Sequence, residues 1–252
     1  MHVGCVNLNY RILAMVLSSS ILDAINEVAI WLPLLVMLFT VENFFEALSA
    51  KIGGDSTAED AGFLTLNPIP HINVVNLIIF LLLLIPFMAF IGGRVPAMVF
   101  ITLPALLGAP IRYSVPVNQN NFKWPVIGSI MYALSVFIAG LVLAFFAVVV
   151  FWLITRYSPS LAAILQELLI RIAFCSMYWG IIELIPVPPF HAGRALRYII
   201  PQSWSGVADY LEEYALIILM VLFFAPITSD IFRSGVATIS NSLVYGLIAL
   251  FF

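Results

Sequence analysis

Two glutamates one helical turn apart are the first candidates for a functional site in this sequence. Glu42 and Glu46 lie in an otherwise apolar stretch that runs from about Glu27 to Ala50. Residues at i and i+4 share one helix face, so two ionised carboxylates there repel each other. Each charge also costs roughly 2.5–3.5 kcal/mol at membrane depth. The pair therefore needs compensation, by a shared proton, a cation, an imidazolium or water.

The composition indicates why these carboxylates sit in apolar surroundings. The chain has 252 residues, of which 63% are hydrophobic and 9% are charged. A soluble domain carries roughly 25% charged residues, so this chain has too little polar surface for water. Spans of ~20 residues each leave room for six or seven transmembrane helices. The net charge of −3 excludes a nucleic-acid partner on electrostatic grounds.

Apolar runs and prolines predict the elements that hold the candidate residues. We expect an N-terminal interfacial segment (1–26) followed by a single membrane domain (27–252), whose first span covers Glu27 to Ala50. A helical hairpin is predicted from Asn76 to Leu107, with its turn at Gly92-Gly93. Further helices are predicted at Val126 to Ile154, Leu168 to Leu184, Tyr214 to Phe224 and Val236 to Phe252. The predicted fold class is all-α, a polytopic membrane protein of about six to seven transmembrane helices.

A proline-rich break follows the helix that ends near Leu184. Residues 183–194 read ELIPVPPFHAGR. Broken backbone at membrane depth is tolerated only where protein or a water-filled cavity covers it. Pro186 and Pro188 therefore predict either a cleft edge or a simple helix end.

Several ordered motifs of the chain resemble the site-2 protease family of intramembrane zinc metalloproteases. The proline break resembles the family motif N-x-x-P-x-P-P-x-D-G, and residues 42–47 (ENFFEA) correspond to H-E-x-x-H-A. The other matches are GDSTA at 54–58, GFLTLNP with HIN at 62–73, PVN with NF at 116–122, and the tail at 201–222. The resemblance implies a site-2-protease-like core with multiple spans, in a bacterial inner membrane.

The resemblance also implies a zinc site at positions that have changed in this chain. In the family, two histidines and a distant aspartate hold zinc, and a glutamate acts as the general base. Glu42 and Glu46 stand at the histidine positions, and His191 stands at the aspartate position. Asn43 stands at the position of the base, and an amide cannot take a proton from water near neutral pH. We therefore assign no catalytic residue.

Three interpretations of these positions remain open. The cluster is compensated by a proton or by His191, or Glu42, Glu46 and His191 bind one divalent metal, or the groups face a water-filled cleft. Oxygen-rich ligands suit manganese or iron at least as well as zinc. The resemblance places further cleft positions at Asn43, His71, Glu183, Pro186 and Pro188.

The expected function is that of a pseudoprotease, which lies in the lipid bilayer and binds a transmembrane partner without cutting it. A metal-dependent intramembrane peptidase with a rebuilt Glu/Glu/His site is one alternative. A proton or ion relay through Glu42, Glu46, Glu183 and Arg171 is the other. Convergence of both helix carboxylates and a His191 nitrogen to within about 4 Å would favour a metal, because metal–ligand bonds measure ~2.0–2.2 Å.

Overall fold

The computed structural model describes residues 2–90 and 113–252, and the side chains of 21–85, 113–223, 225 and 228–252. Within these ranges the regular structure is helical, with no β-strand. The α-helices are α1 (His2–Gly53), α2 (Thr57–Asp60), α3 (Val74–Phe90), α4 (Pro125–Tyr157), α5 (Pro159–Ile182), α6 (His191–Ile199), α7 (Ser205–Glu213), α8 (Ala215–Phe224) and α9 (Pro226–Ala249). The predicted all-helical class is confirmed. The predicted turn at Gly92-Gly93 and the second hairpin arm lie outside the described residues.

The chain divides into two compact units. The first comprises Met1–Phe39 with Pro68–Tyr113, and the second comprises Thr40–Asn67 with Ser114–Phe252. Helix α1 therefore gives its C-terminal part, from Thr40 onward, to the second unit. The division into an interfacial segment and a single membrane domain stays a prediction.

Three described helices are long and apolar enough to cross a membrane. They are Ile21–Gly53 within α1, Pro125–Tyr157 and Pro159–Ile182. The bent pair Ala215–Phe223 and Thr228–Ala249 supplies a fourth span if it crosses as one unit. These helices indicate a membrane-embedded protein. The described residues thus contain three or four candidate spans, and the predicted six to seven are not confirmed.

Two helices begin earlier than the sequence pattern predicts, and proline is the physical reason. Helix α5 begins at Pro159 rather than at Leu168, and α9 begins at Pro226 rather than at Val236. The N–H of the first helical residue has no partner within the helix, so proline, which has no N–H, loses nothing there. Its fixed φ also suits the first turn. These prolines start helices, whereas the sequence analysis treated proline mainly as a breaker.

Close contact between α4 and α5 frames the site in the second unit. A Cβ at Gly140 would lie 2.4 Å from the carbonyl oxygen of Ser176, and a Cβ at Gly180 would lie 3.1 Å from the Cα of Phe137. Small residues let membrane helices approach backbone to backbone. This contact holds Tyr132, on α4, and Glu183, at the end of α5, in the same packed unit.

Candidate functional site

Three polar side chains are buried within two successive helical turns of the C-terminal part of α1. Glu42, Asn43 and Glu46 are each 0% exposed. Helix α1 ends just beyond them, where Gly54 takes a φ of +112° and the N–H of Asp55 donates to a carbonyl of the last turn. Glycine adopts this left-handed conformation without steric cost. Polar groups so deeply buried within a candidate span are a functional-site hypothesis by default.

The proline segment ends on a short helix whose first residue is His191. The carboxylate of Glu183 accepts a hydrogen bond from the backbone N–H of His191 at 3.0 Å. It therefore satisfies one of the free N–H groups at the start of α6, where a negative charge is also favourable. A Cβ at Gly193 would lie 2.2 Å from the carbonyl carbon of Val187. Only glycine lets the first turn of α6 lie so close to the proline segment.

The imidazole of His191 lies between two buried carboxylates. Its Nδ1 is 2.6 Å from Oε2 of Glu183, and its Nε2 is 2.8 Å from Oε2 of Glu46. His191 and Glu46 are 0% exposed and Glu183 is 4% exposed. Burial lowers the pKa of His191, but the two carboxylates raise it further, so that the pKa lies above its ordinary value.

Two residues that the sequence analysis did not assign complete the arrangement. The hydroxyl of Tyr132 donates to Oε1 of Glu46 at 3.1 Å. Nη2 of Arg194 lies 3.5 Å from the same oxygen and 3.1 Å from Nε2 of His191. The guanidinium carbon also lies 5.5 Å from the centre of the Tyr132 ring, in cation–π range. We call Glu46, Tyr132, Glu183, His191 and Arg194 the buried ion cluster.

Sequence signals for these two residues differ. Arg194 follows His191 by three positions on one helix, a spacing at which side chains meet, so a helix starting at His191 would have predicted it. Tyr132 contacts Glu46 across 86 positions from within a long apolar helix. Nothing in its local sequence separates it from other aromatic residues of a membrane helix.

The ligand set of the cluster does not fit a divalent metal. Among the described residues, no three His, Cys, Asp or Glu side chains are grouped so that they could hold a metal ion. Glu46 and His191 contact each other directly, and the permanent positive charge of Arg194 lies beside both. Glu42 is buried one turn before Glu46. A metal on Glu42, Glu46 and His191 stays a prediction that this arrangement does not favour.

The remaining predicted positions lie in different places. His71 is buried in the first unit, in a 3₁₀ turn whose last carbonyl accepts the N–H of Tyr113. Pro186 and Pro188 lie in the segment between α5 and α6, as predicted. Arg171 pairs with Glu167 one turn earlier on α5, which is the ion pair expected from their spacing. The cleft role of His71 stays a prediction.

A cavity of about 270 Å³ borders the cluster. Its walls include the extended residue Val117, the 3₁₀ turn that begins at Gln119, the proline segment at Pro188, and α6 at Gly193 and Arg194. The side chain of Arg194 is 32% exposed, so it links the buried carboxylates to this cavity. Pro188 thus lines this cavity, and the cleft role of the proline segment stays a prediction.

Asp55 ties the extended segment to the end of α1. Its carboxylate accepts the backbone N–H of Asn118 at 2.7 Å, the amide of Asn121 at 2.8 Å and the hydroxyl of Thr57 at 2.6 Å. The side chain is fully buried. Burial raises the pKa of Asp55, but these hydrogen bonds to the ionised form lower it more, so that the pKa lies below its ordinary value. Asp55 is therefore an anchor of the cavity wall.

Asp55→Asn should destabilise the protein in a pH-dependent way. The amide loses the charge and one acceptor oxygen, and hydrogen bonds to charged groups contribute about 1.5–3 kcal/mol each. Because the folded pKa is depressed, the ionised form stabilises the wild type above the unfolded pKa of about 3.9, and this stability is lost as pH falls through the folded pKa. Thermal unfolding from pH 7 to pH 3 should show a gap between wild type and variant that narrows below pH 4. A gap independent of pH would contradict this role.

Comparison with known proteins gives one distant relative. A protein of Bacillus subtilis (strain 168) named "Putative zinc metalloprotease YwhC" is 25% identical over 199 residues, which cover 77% of this chain and 80% of that protein. No protein-family model matches the chain. No solved structure matches it. The similarity supports, at a distance, the resemblance to a site-2-protease-like family.

Proposed function

We propose that this chain is a multi-pass protein of a bacterial inner membrane, related to the site-2 proteases, that binds a transmembrane protein without cleaving it. The observation that carries the proposal is the position of His191 between Glu46 and Glu183. Both of its ring nitrogens contact carboxylates, at the position where the family has a metal-binding aspartate. Two of the three residues that would hold a catalytic metal, Glu46 and His191, contact each other directly.

The position of the general base also supports a protein without peptidase activity. Asn43 stands at this position. It is fully buried on α1, one helical turn before Glu46. Its side-chain amide has no basic site that could accept a proton from water near neutral pH. Hydrolysis by the family's mechanism would therefore lack both its metal and its base.

The cavity supports binding of a partner. It opens between the proline segment and the extended residues before α4, and its wall carries backbone that belongs to no helix at Val117 and Pro188. Clefts of this kind accept an extended peptide segment, with main-chain contacts giving affinity and small pockets giving specificity. An unwound part of a transmembrane helix has this shape.

Site-specific photo-crosslinking in membranes tests the proposal. A benzophenone side chain at Val117 would line the cavity, whereas the same group at Phe146, which is 59% exposed on α4, would be a control. We expect adducts with transmembrane proteins at Val117 that are absent at Phe146. The same set of adducts at both positions would contradict a partner-binding cavity.

A proton relay is the second candidate, because one observation favours it. Glu46, His191 and Glu183 form a continuous carboxylate–imidazole–carboxylate chain with contacts of 2.8 and 2.6 Å. Proteoliposomes with an internal pH dye would measure proton entry after an acid pulse. Entry that His191→Phe abolishes would support the relay, and equal entry in wild type and variant would exclude it.

A further inference from the structure

Arg194 brings a positive charge close to atoms that a metal at the predicted site would bind. Its Nη2 is 3.1 Å from Nε2 of His191 and 3.5 Å from Oε1 of Glu46, two of the atoms that a metal at this site would bind. We infer that the guanidinium of Arg194, beside the imidazole of His191, supplies positive charge to the buried ion cluster in place of a divalent metal. A residue of the chain itself then compensates the carboxylate of Glu46.

The spacing of the ligand atoms supports this inference. When two atoms bind the same tetrahedral metal with bonds of ~2.0–2.1 Å, the two atoms lie about 3.3 Å from each other. Nε2 of His191 and Oε2 of Glu46 are only 2.8 Å apart, which is the distance of a direct charge-assisted contact. The two side chains face each other rather than a shared ion.

The chemistry of arginine supports it as well. A guanidinium stays charged at every pH that a protein survives, and it is less strongly hydrated than an ammonium, so its burial costs less. Arg194 stacks over Tyr132, whose ring is 1% exposed and whose hydroxyl donates to the same oxygen of Glu46. Its backbone carbonyl accepts a bond from Gln119 at 3.5 Å. The ring of Tyr132 thus contacts the guanidinium itself, whereas Gln119 contacts the backbone that carries it.

This inference deepens the proposed function, on which it rests, because it explains how the rebuilt site is stable without a metal. The experiment that tests it measures the metal content and the thermal stability of the purified protein, and it does not measure partner binding. A protein that binds no partner could still keep Arg194 as its cation, so the two proposals fail separately.

The test compares Arg194→Met with Arg197→Met. Arg197 lies one turn further along α6 and pairs with Asp209 and Glu212 on an exposed surface, which makes it a matched control. Arg194 is only partly buried, but its removal takes a positive charge away from the fully buried carboxylate of Glu46, so Arg194→Met should lower the unfolding midpoint in detergent by about 5 °C. Arg197→Met should shift it by about 2 °C or less. Elemental analysis of gently purified wild type should find far less than one zinc, manganese or iron ion per chain.

A double variant keeps the test decisive if Arg194→Met fails to fold. In a Glu46→Gln background the carboxylate that needs the cation is gone, so adding Arg194→Met should lower the midpoint by less than half of its effect in wild type. One equivalent of metal in wild type would overturn the inference. It would also be overturned if Arg194→Met lowered the unfolding midpoint as little as Arg197→Met does. An equal drop of the midpoint with and without Glu46→Gln would overturn it too.

Discussion

Gly193→Ala should abolish the folded state of this protein or reduce its yield several-fold. The new Cβ would meet the carbonyl carbon of Val187 at 2.2 Å and the nitrogen of Pro188 at 2.3 Å. Both are backbone atoms of a segment stiffened by proline rings, so they cannot move as the tip of a side chain can. Overpacking of this kind costs about 3 kcal/mol or more. The first turn of α6 would shift and carry His191 away from its two carboxylates.

The measurement is fluorescence-detected size-exclusion chromatography with a thermal ramp. Gly206→Ala, in α7, is the matched control, because nothing lies within 4 Å of its Cβ position. Alanine has a higher helix propensity than glycine, so the unfolding midpoint of this variant should equal that of wild type or lie slightly above it. Equal midpoints for the two alanine variants would show that α6 does not pack against the proline segment as described.

Glu183→Ala should produce the second large effect. The side chain is 4% exposed, and its Oε2 accepts from both the backbone N–H and Nδ1 of His191. Its removal leaves a buried helix terminus and a buried imidazole with one fewer partner. Loss of one partner from a buried charged pair costs about 3–5 kcal/mol. We expect the unfolding midpoint to fall in the order wild type, Glu183→Gln, Glu183→Ala, because the amide keeps an acceptor oxygen but no charge.

An exposed glutamate provides the control for this series. Glu213 ends α7 on the surface, and its replacement by alanine should change stability by about 0.5 kcal/mol or less. If Glu183→Gln matched Glu183→Ala, the charge of Glu183 would be irrelevant. If neither differed from the Glu213 variant, the buried ion cluster would contribute nothing to the fold.

The helices could be predicted from apolar runs, but some of their ends could not. The prediction for α4 matched closely, since one uninterrupted apolar run fills Pro125–Tyr157. The starts of α5 and α9 were misplaced because a proline can begin a helix as readily as it can end one. The described helices supply three or four candidate spans, and the predicted six to seven stay a prediction.

The candidate site was predictable only as far as the motif resemblance reached. Spacing put Glu42 and Glu46 on one helix face, and the resemblance added Glu183 and His191 from a distant helix end. The structure brings Glu46, Glu183 and His191 together. Tyr132 was missed because its contact with Glu46 depends on helix packing, and Arg194 was missed because the start of α6 at His191 was not predicted.

A cleavage assay in proteoliposomes tests the central claim most directly. The wild-type protein would be reconstituted with a labelled transmembrane peptide that carries a helix-breaking segment, beside the matched variant Glu46→Gln. We predict no cleavage above the level of the variant, with or without added zinc or manganese, because Arg194 lies beside Glu46 and His191 and Asn43 stands at the position of the general base. Peptide-bond cleavage by wild type that Glu46→Gln abolishes would contradict the account.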